Sequence, residues 1–292
     1  GTTDQTEILT GNGAAELIYA LCRAVPAGRA LLMAPSFQEY ENALEAAGHP
    51  CEFLYLKEEN NFVLPLQELL LRITEETRLV FLCNPGNPTG TVTGKAELVR
   101  LAERCEETKT FLCVDECFLP FLLGEPALSM KGETVRFPHL AVLRAFTKVY
   151  GMPGLRLGYL MTGNRELAGR LKEKLPPWNV SLPAQLAGAA ALKAEGYLEK
   201  TRELIRGEKE KLVSVLLETV ADRVYPGSAN FLLFHGREGL KEALLDRKIL
   251  IRDCSNFKGL SRGYYRICIR TQEENERLKE ILYSLAGKEA GK

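Results

Sequence analysis

"RLVFLCNPGNPTGTVTGKAELVRLAERCEETKTFLCVD", residues 78–115, decides the fold. An apolar run, "RLVFLC" (78–83), stops at a Pro- and Gly-rich turn. "KAELVRLAERCEE" (95–107) then sets apolar residues at helical spacing with charges between them. A second apolar run, "TFLCVD" (110–115), ends on an acid. Two continuous apolar strands joined by an amphipathic helix read as a unit of a parallel sheet covered on both faces. The alternation extends outward. Further strands are expected at 30–34, 51–56, 140–146 and 157–162, with helices at 14–25, 38–48, 66–73 and 165–175. The fold class is therefore α/β, a mostly parallel sheet flanked by helices. In such sheets ligands gather at the carboxyl ends of the strands.

The pattern changes after residue 182. A long helical region is expected from about Pro183 to Thr219, and the charges in "RELIRGEKEKLVSVLLETV" read as the solvated face of a connecting helix. After "YPGSAN" come strand "FLLF", helix "LKEALLDRK", strands "ILIRD" and "YYRICIR", and helix "ENERLKEILYSL". The expected organisation is a large domain over 1–182, a connecting region over 183–219 and a small α+β domain over 220–292.

Composition narrows the function. Lys plus Arg and Asp plus Glu balance at 38 each, which argues against a general nucleic-acid binder. There is no apolar run of membrane-spanning length and no signal-peptide pattern at the start of the chain. The eight cysteines sit largely inside apolar runs, form no C-x-x-C pair, and accompany only three histidines. No metal site is expected, and scattered buried thiols suit a reducing cytoplasm. The triplet "NVS" at Asn179 matches a glycosylation acceptor, which has little weight without a secretory signal.

Several strand ends carry polar chemistry. "LTGNGAAELI" puts Gly11, Asn12 and Gly13 at a helix start, where free N–H groups can meet an anion. A glycine helix start with no ligand is the commoner case. "CNPGNPTG" reads as a tight turn or as a ligand loop carrying Asn87. Asp115, directly off an apolar strand, is either a helix cap or a carboxylate that wants a cation. Lys148 follows "LAVLRAF"; in an apolar setting a lysine loses proton affinity and becomes a nucleophile toward an aldehyde. An anion cup, an Asn, an Asp and a Lys, each at its own strand end, form one constellation.

"NPGNPTG", "VDECF" and "TKVYGMPGLRLGY" resemble, in this order along the chain, the motifs of the class I/II aminotransferases, the fold-type-I pyridoxal-phosphate enzymes. The resemblance covers nearly the whole chain. It implies that Lys148 bonds pyridoxal 5'-phosphate and moves the proton at the substrate Cα, and that Asp115 pairs with the pyridine nitrogen. It implies that Asn87 meets the ring hydroxyl and Phe37 stacks on the ring. Arg156 and Thr147, with the backbone at Gly13 and Ala14, would hold the phosphate. In the small domain Arg252, Arg266 and Arg270 become substrate residues, with Arg266 on the α-carboxylate and the others open to a second anion. For Arg270 a surface ion pair is the other reading. The implied assembly is a homodimer, and the implied substrate a small amino acid.

Within that family, "FTKVYGMPGLRLGY", "PPWNVSLPAQLAG" and "RGYYRICIRTQEEN" are most similar to threonine-phosphate decarboxylases of the cobalamin pathway, with histidinol-phosphate aminotransferases next. Both act on phosphorylated amino compounds. Three departures stand out. Phe118 occupies a position where many relatives have tyrosine. Ala145 stands where relatives often have Ser or Thr on the phosphate. The chain begins almost at the phosphate cup, so an N-terminal segment that relatives carry is expected to be missing. A non-catalytic, pyridoxal-phosphate-binding regulator is a third reading. A dinucleotide-binding dehydrogenase fails because no G-x-G-x-x-G follows the first strand.

Overall fold

The structure, a computed structural model, describes residues 5–287. The outermost residues of the two expected units, 1–4 and 288–292, lie outside the described residues. The first half runs β1 (Glu7–Asn12), α1 (Gly13–Ala24), β2 (Arg29–Ala34), α2 (Glu39–Ala46), β3 (Cys51–Tyr55), α3 (Leu66–Arg72), β4 (Thr77–Cys83), α4 (Lys95–Thr108), β5 (Phe111–Asp115), α5 (Glu125–Leu128), β6 (Leu140–Ala145), α6 (Phe146–Val149), β7 (Leu157–Thr162) and α7 (Arg165–Lys174). Then come α8 (Leu182–Ala191), α9 (Tyr197–Thr219), β8 (Ala221–Val224), β9 (Phe231–Gly236), α10 (Leu240–Leu245), β10 (Arg252–Asp253), β11 (Tyr264–Cys268) and α11 (Gln272–Leu285).

Seven strands form one sheet in the order β1-β7-β6-β5-β4-β2-β3. The run from β3 to β6 is parallel, whereas β7 is antiparallel to both β6 and β1. A parallel return needs a crossover of a dozen or more residues; only the one-turn α6 and a short loop lie between β6 and β7. β1 is an addition to the sequence reading. It is an edge strand whose inward face is only Leu9 and Gly11, so it has no apolar run to announce it.

Alternate residues of the central strands enter two different layers, as the period of a strand requires. Leu32, Phe81, Cys113 and Leu143 pack with Leu17 and Leu21 of α1, Leu44 of α2 and Leu167 of α7. Leu31, Val80, Leu112 and Val142 pack with Leu69 of α3 and Leu98 and Leu101 of α4 on the opposite face. Each fully buried leucine or valine contributes roughly 1.5–3 kcal/mol. Held from both sides, the strand ends are fixed points.

The region expected as one helical stretch divides into α8 and α9, because Gly196 turns left-handed (φ 70°) at the start of α9. β8 through β11 form a four-stranded antiparallel sheet in the order β10-β11-β9-β8. The expected strand 249–253 shrinks to two residues because the Ile249 N–H closes the end of α10 on Leu244 O (3.0 Å). Ile205, Leu212 and Leu216 of α9 and Leu278 and Leu282 of α11 cover the inner face of this sheet.

That second core also takes in Phe118, Leu119, Phe121 and Val149, from the segments just after β5 and β6. The small sheet therefore seats on the carboxyl edge of the large one. Gly90 makes a second seam. Its φ is 72°, and a Cβ there would stand 3.0 Å from Gly227 Cα. The Ser228 N–H donates to Gly90 O (2.7 Å), so the 84–90 loop is pinned to the approach to β9. Among the described residues, no helix is long and apolar enough to cross a membrane.

Candidate active site

β1, β2, β4, β5 and β6 end, and β7 begins, at one edge of the large sheet. Asn12 pairs with Leu157, Ala145 with Gly158, Asp115 with Leu143 and Cys83 with Asp115. Gly13, Phe37, Asn87, Asp115, Thr147, Lys148 and Arg156 all lie in the segments that continue from these ends.

The anion cup is built at the β1–α1 junction. Gly13 opens α1 at φ 76°, and a Cβ on it would lie 2.6 Å from Arg156 Nη2. Only glycine lets the guanidinium lie against the free N–H groups of this helix start. Arg156 is itself left-handed (φ 58°), an uncommon state for a non-glycine residue. Its Nη1 donates to Pro153 O (3.0 Å), and its head stays exposed. Glu16 braces the turn: it accepts from the Asn12 backbone (2.7 Å), the Asn12 amide (3.0 Å) and the Asn179 amide (2.8 Å). Sequence reading missed this brace, though Glu16 sits one turn after Asn12. Thr147 is buried beside the cup, while Ala145, opposite Gly158, brings no hydroxyl.

Asp115 is 5% exposed. Its Oδ1 accepts from the Cys117 N–H (2.9 Å) and its Oδ2 from the Tyr40 hydroxyl (2.5 Å). Among the described residues no lysine, arginine or histidine pairs with this carboxylate. Burial pushes the neighbouring thiols of Cys83, Cys113 and Cys117 up, so they stay neutral. Tyr40 stacks on Phe81 (4.9 Å between centroids) and meets Phe37 edge-on (5.6 Å). Tyr40 was not among the residues singled out from sequence; its signal is its place three residues after Phe37 at the start of α2.

The two asparagines of "NPGNPTG" have different work. Asn84 is buried and closes the loop on Thr93, donating to its carbonyl (3.1 Å) and accepting from its N–H (2.8 Å). Asn87 turns outward, and its Oδ1 accepts from Arg266 Nη1. Its amide N–H group has no hydrogen-bond partner among the described residues.

Lys148 is exposed rather than sunk in the apolar setting expected of it; α6 ends within a residue of it and the side chain leaves the core. Its Nζ stands 5.9 Å from the Phe118 ring centroid. Phe118 meets Phe231 edge-on (5.0 Å), and Arg266 lies over Phe231 at 4.9 Å. Two phenylalanines thus stand between the lysine and the arginine, with a cation over each. Phe231 had no sequence signal beyond belonging to "FLLF".

Arg252, Arg266 and Arg270 border one cavity of about 780 Å³, which Lys148 and Asp115 do not line. Arg266, paired across strands with Arg252, is half-buried, and desolvation pushes its proton affinity down while it stays charged. Arg252 is exposed and donates to Asn256 Oδ1 (2.9 Å). Arg270, two residues past β11, is exposed and paired with Glu274 one turn on (2.7 Å).

A fold-type-I core with an acid, a lysine and an arginine-bordered anion cup on one sheet edge defines a class, and comparison with known proteins agrees. The family model for aminotransferase class I and II matches residues 2–282, so this chain belongs to that family. It is a pyridoxal-phosphate-dependent enzyme. Among individual relatives, the threonine-phosphate decarboxylase of Salmonella typhimurium is 37% identical over 282 residues, 94% of this chain and 76% of that protein. The adenosylcobalamin biosynthesis bifunctional protein of Leptospira interrogans is 32% identical over 281 residues, 93% of this chain and 32% of that protein. The crystal structure of the histidinol-phosphate aminotransferase from Clostridium acetobutylicum superposes with a TM-score of 0.91 at 31% identity, covering 97% of this chain and 85% of that one.

Proposed function

We propose that this chain decarboxylates L-threonine O-3-phosphate, as a pyridoxal-phosphate enzyme of cobalamin biosynthesis. The observation that carries the cofactor's placement is Asp115, a buried carboxylate that accepts from the Tyr40 hydroxyl and the Cys117 N–H and has no cationic partner among the described residues. An ionised carboxylate in that position is costly unless a cation meets it, and a protonated pyridine nitrogen is such a cation. The cup where Gly13 yields to Arg156 fits the cofactor phosphate. The substrate reading is supported by the threonine-phosphate decarboxylase and adenosylcobalamin relatives.

When bound, pyridoxal phosphate supplies a ring that takes up the electron pair left at the substrate Cα. Every other part falls to the chain. Arg156, the Thr147 hydroxyl and the backbone at Gly13 and Ala14 hold the phosphate. Asp115 would accept from the ring nitrogen, the Asn87 amide would donate to the ring hydroxyl, and Phe37 would cover the ring. Lys148 Nζ would hold the cofactor through its carbonyl carbon and, once displaced by the substrate's amino group, would hold or deliver the proton at Cα. Arg266 would grip the α-carboxylate and Arg252 would meet the substrate phosphate, while Arg270 stays on Glu274. Phe118 and Phe231 keep water from the space between Lys148 and Arg266. Which substrate bond breaks would depend on how Arg266 and Arg252 orient the amino acid's carboxylate and phosphate.

The organisation that goes with this reading is a cofactor domain over 1–182 joined by 183–219 to a substrate-gripping domain over 220–292. A cytoplasmic homodimer goes with it too. Ile8, Trp178, Leu182, Leu186 and Leu192 lie exposed along the β1 and α8 side of the large sheet, an apolar face suited to a second copy.

The 0.91 TM-score to a histidinol-phosphate aminotransferase favours transamination as the second reading. One experiment separates the two. The purified protein, loaded with pyridoxal phosphate, is incubated with L-threonine O-3-phosphate and no keto acid. Release of CO₂ is the expected result. No CO₂, together with 2-oxoglutarate-dependent turnover of histidinol phosphate, establishes the second reading instead.

A further inference from the structure

Tyr40 touches two residues of the ring pocket at once. Its hydroxyl donates to Asp115 Oδ2 at 2.5 Å, and its ring meets Phe37 edge-on at 5.6 Å with an interplanar angle of 87°. Its other face is stacked on Phe81 of β4 at 4.9 Å and 9°. The side chain is 1% exposed, so neither contact competes with water. Tyr40 belongs to α2, Phe37 to the turn before it, and Asp115 to the end of β5, 75 residues on.

We propose that Tyr40 is a positioning residue for the cofactor, setting both the orientation of the Asp115 carboxylate and the seat of the Phe37 ring. The inference rests on the reading that Asp115 and Phe37 contact pyridoxal phosphate. The phenol and the Cys117 N–H engage one oxygen each, so the carboxylate cannot rotate about its Cβ–Cγ bond without breaking a bond in a buried site. An oxygen that already accepts from a phenol shares its charge, so Tyr40 moderates how strongly Asp115 pulls on the ring nitrogen's proton. The donor role is secure because burial and the adjacent carboxylate hold the phenol proton well above its usual range. The other ionisable groups facing Asp115 are the Cys83 thiol of β4 and the Cys113 and Cys117 thiols of β5 and its following turn, all held neutral by burial. Tyr40 thus brings the one hydroxyl donor to this carboxylate among the described residues, beside the weakly donating Cys117 thiol.

Tyr40→Phe tests this, since it keeps the ring that stacks on Phe81 and removes only the hydroxyl. Cofactor retention by the holoenzyme is followed as loss of the visible band on dilution. The ring-nitrogen resonance of ¹⁵N-labelled pyridoxal phosphate reports on the contact to Asp115. The expected result is cofactor binding weaker by about tenfold, the value of one hydrogen bond to a charged group, with a displaced ¹⁵N resonance and an unchanged circular-dichroism spectrum. In an Asp115→Asn background the same substitution should weaken binding by less than about twofold. Unchanged retention and an unchanged resonance overturn the proposal. So does an equal loss in both backgrounds, which would make the hydroxyl a packing element alone. A native chain that binds no pyridoxal phosphate refutes the underlying reading instead, so the two failures are distinguishable.

Discussion

The carboxyl edge of the large sheet and the β11 end of the small one both present charged residues, but they hold them by different means. Asp115 is buried, has no cation of its own, and is oriented by a backbone N–H and a phenol from distant segments. Arg270 is exposed and satisfied by Glu274 within its own chain segment. Arg266 lies between these extremes: half-buried, over Phe231, and bound to Asn87 of the other sheet. A charge placed by tertiary structure and left without a counter-charge is poised for a ligand. A charge paired one helical turn away contributes little that a ligand could use.

That contrast can be broken first at Lys148. Lys148→Ala should abolish the covalent cofactor adduct after borohydride reduction, read by peptide mass spectrometry, and lower turnover by roughly 10²–10⁴-fold or more. A reduced adduct on another lysine removes Lys148 from its role. Next in size is Arg266→Ala, which should raise the KM for the amino acid by roughly 10–100-fold through loss of a charge-assisted bidentate contact. The visible cofactor band should stay in place, and a lost band would put Arg266 in the cofactor site instead.

At the seam between the regions, stability should depend on pH. Lys209 of α9 donates to Gly227 O and, at 2.9 Å, to Ala229 O, and desolvation pulls its pKa down to about 8. The folded chain therefore binds fewer protons than the unfolded chain between pH 8 and the ordinary lysine value near 10.5. The lysine's stability contribution is greatest above that upper value and is lost as pH falls through about 8. Denaturant unfolding of the native chain against Lys209→Met should show a relative gain on the order of 1–3 kcal/mol for the lysine as pH rises through this window. A flat difference would mean that Lys209 stays charged throughout. The smallest effect is expected at Arg270. Arg270→Ala should raise KM by less than about threefold and destabilise by about 0.3–0.5 kcal/mol, as for an exposed pair one helical turn apart. A tenfold rise would show that Arg270 leaves Glu274 for the substrate.

The central strands were legible because both faces of the sheet are buried, with Val80, Leu112 and Val142 on one and Phe81, Cys113 and Leu143 on the other, so they read as unbroken apolar runs. β1 and β8 were not, since an edge or a short strand needs few apolar residues to be held. The antiparallel sense of β7 was hidden as well, because its composition matches that of its parallel neighbours. Lys148 was legible as a residue but not in its exposure, which follows from the place where α6 ends.

By itself, the chain's order of apolar runs, turns and helices determined an α/β sheet, the motifs of its family, and the residues that can carry cofactor chemistry. Those properties are local, being set by side-chain periodicity and by backbone preferences within a few residues. Only the tertiary structure decided which of two asparagines is buried on Thr93 and which meets Arg266, which arginine is free of a local partner, and that Tyr40 meets Asp115. Such contacts depend on segments tens of residues apart being brought within hydrogen-bond reach, and burial then decides whether a charge keeps its water or needs a partner.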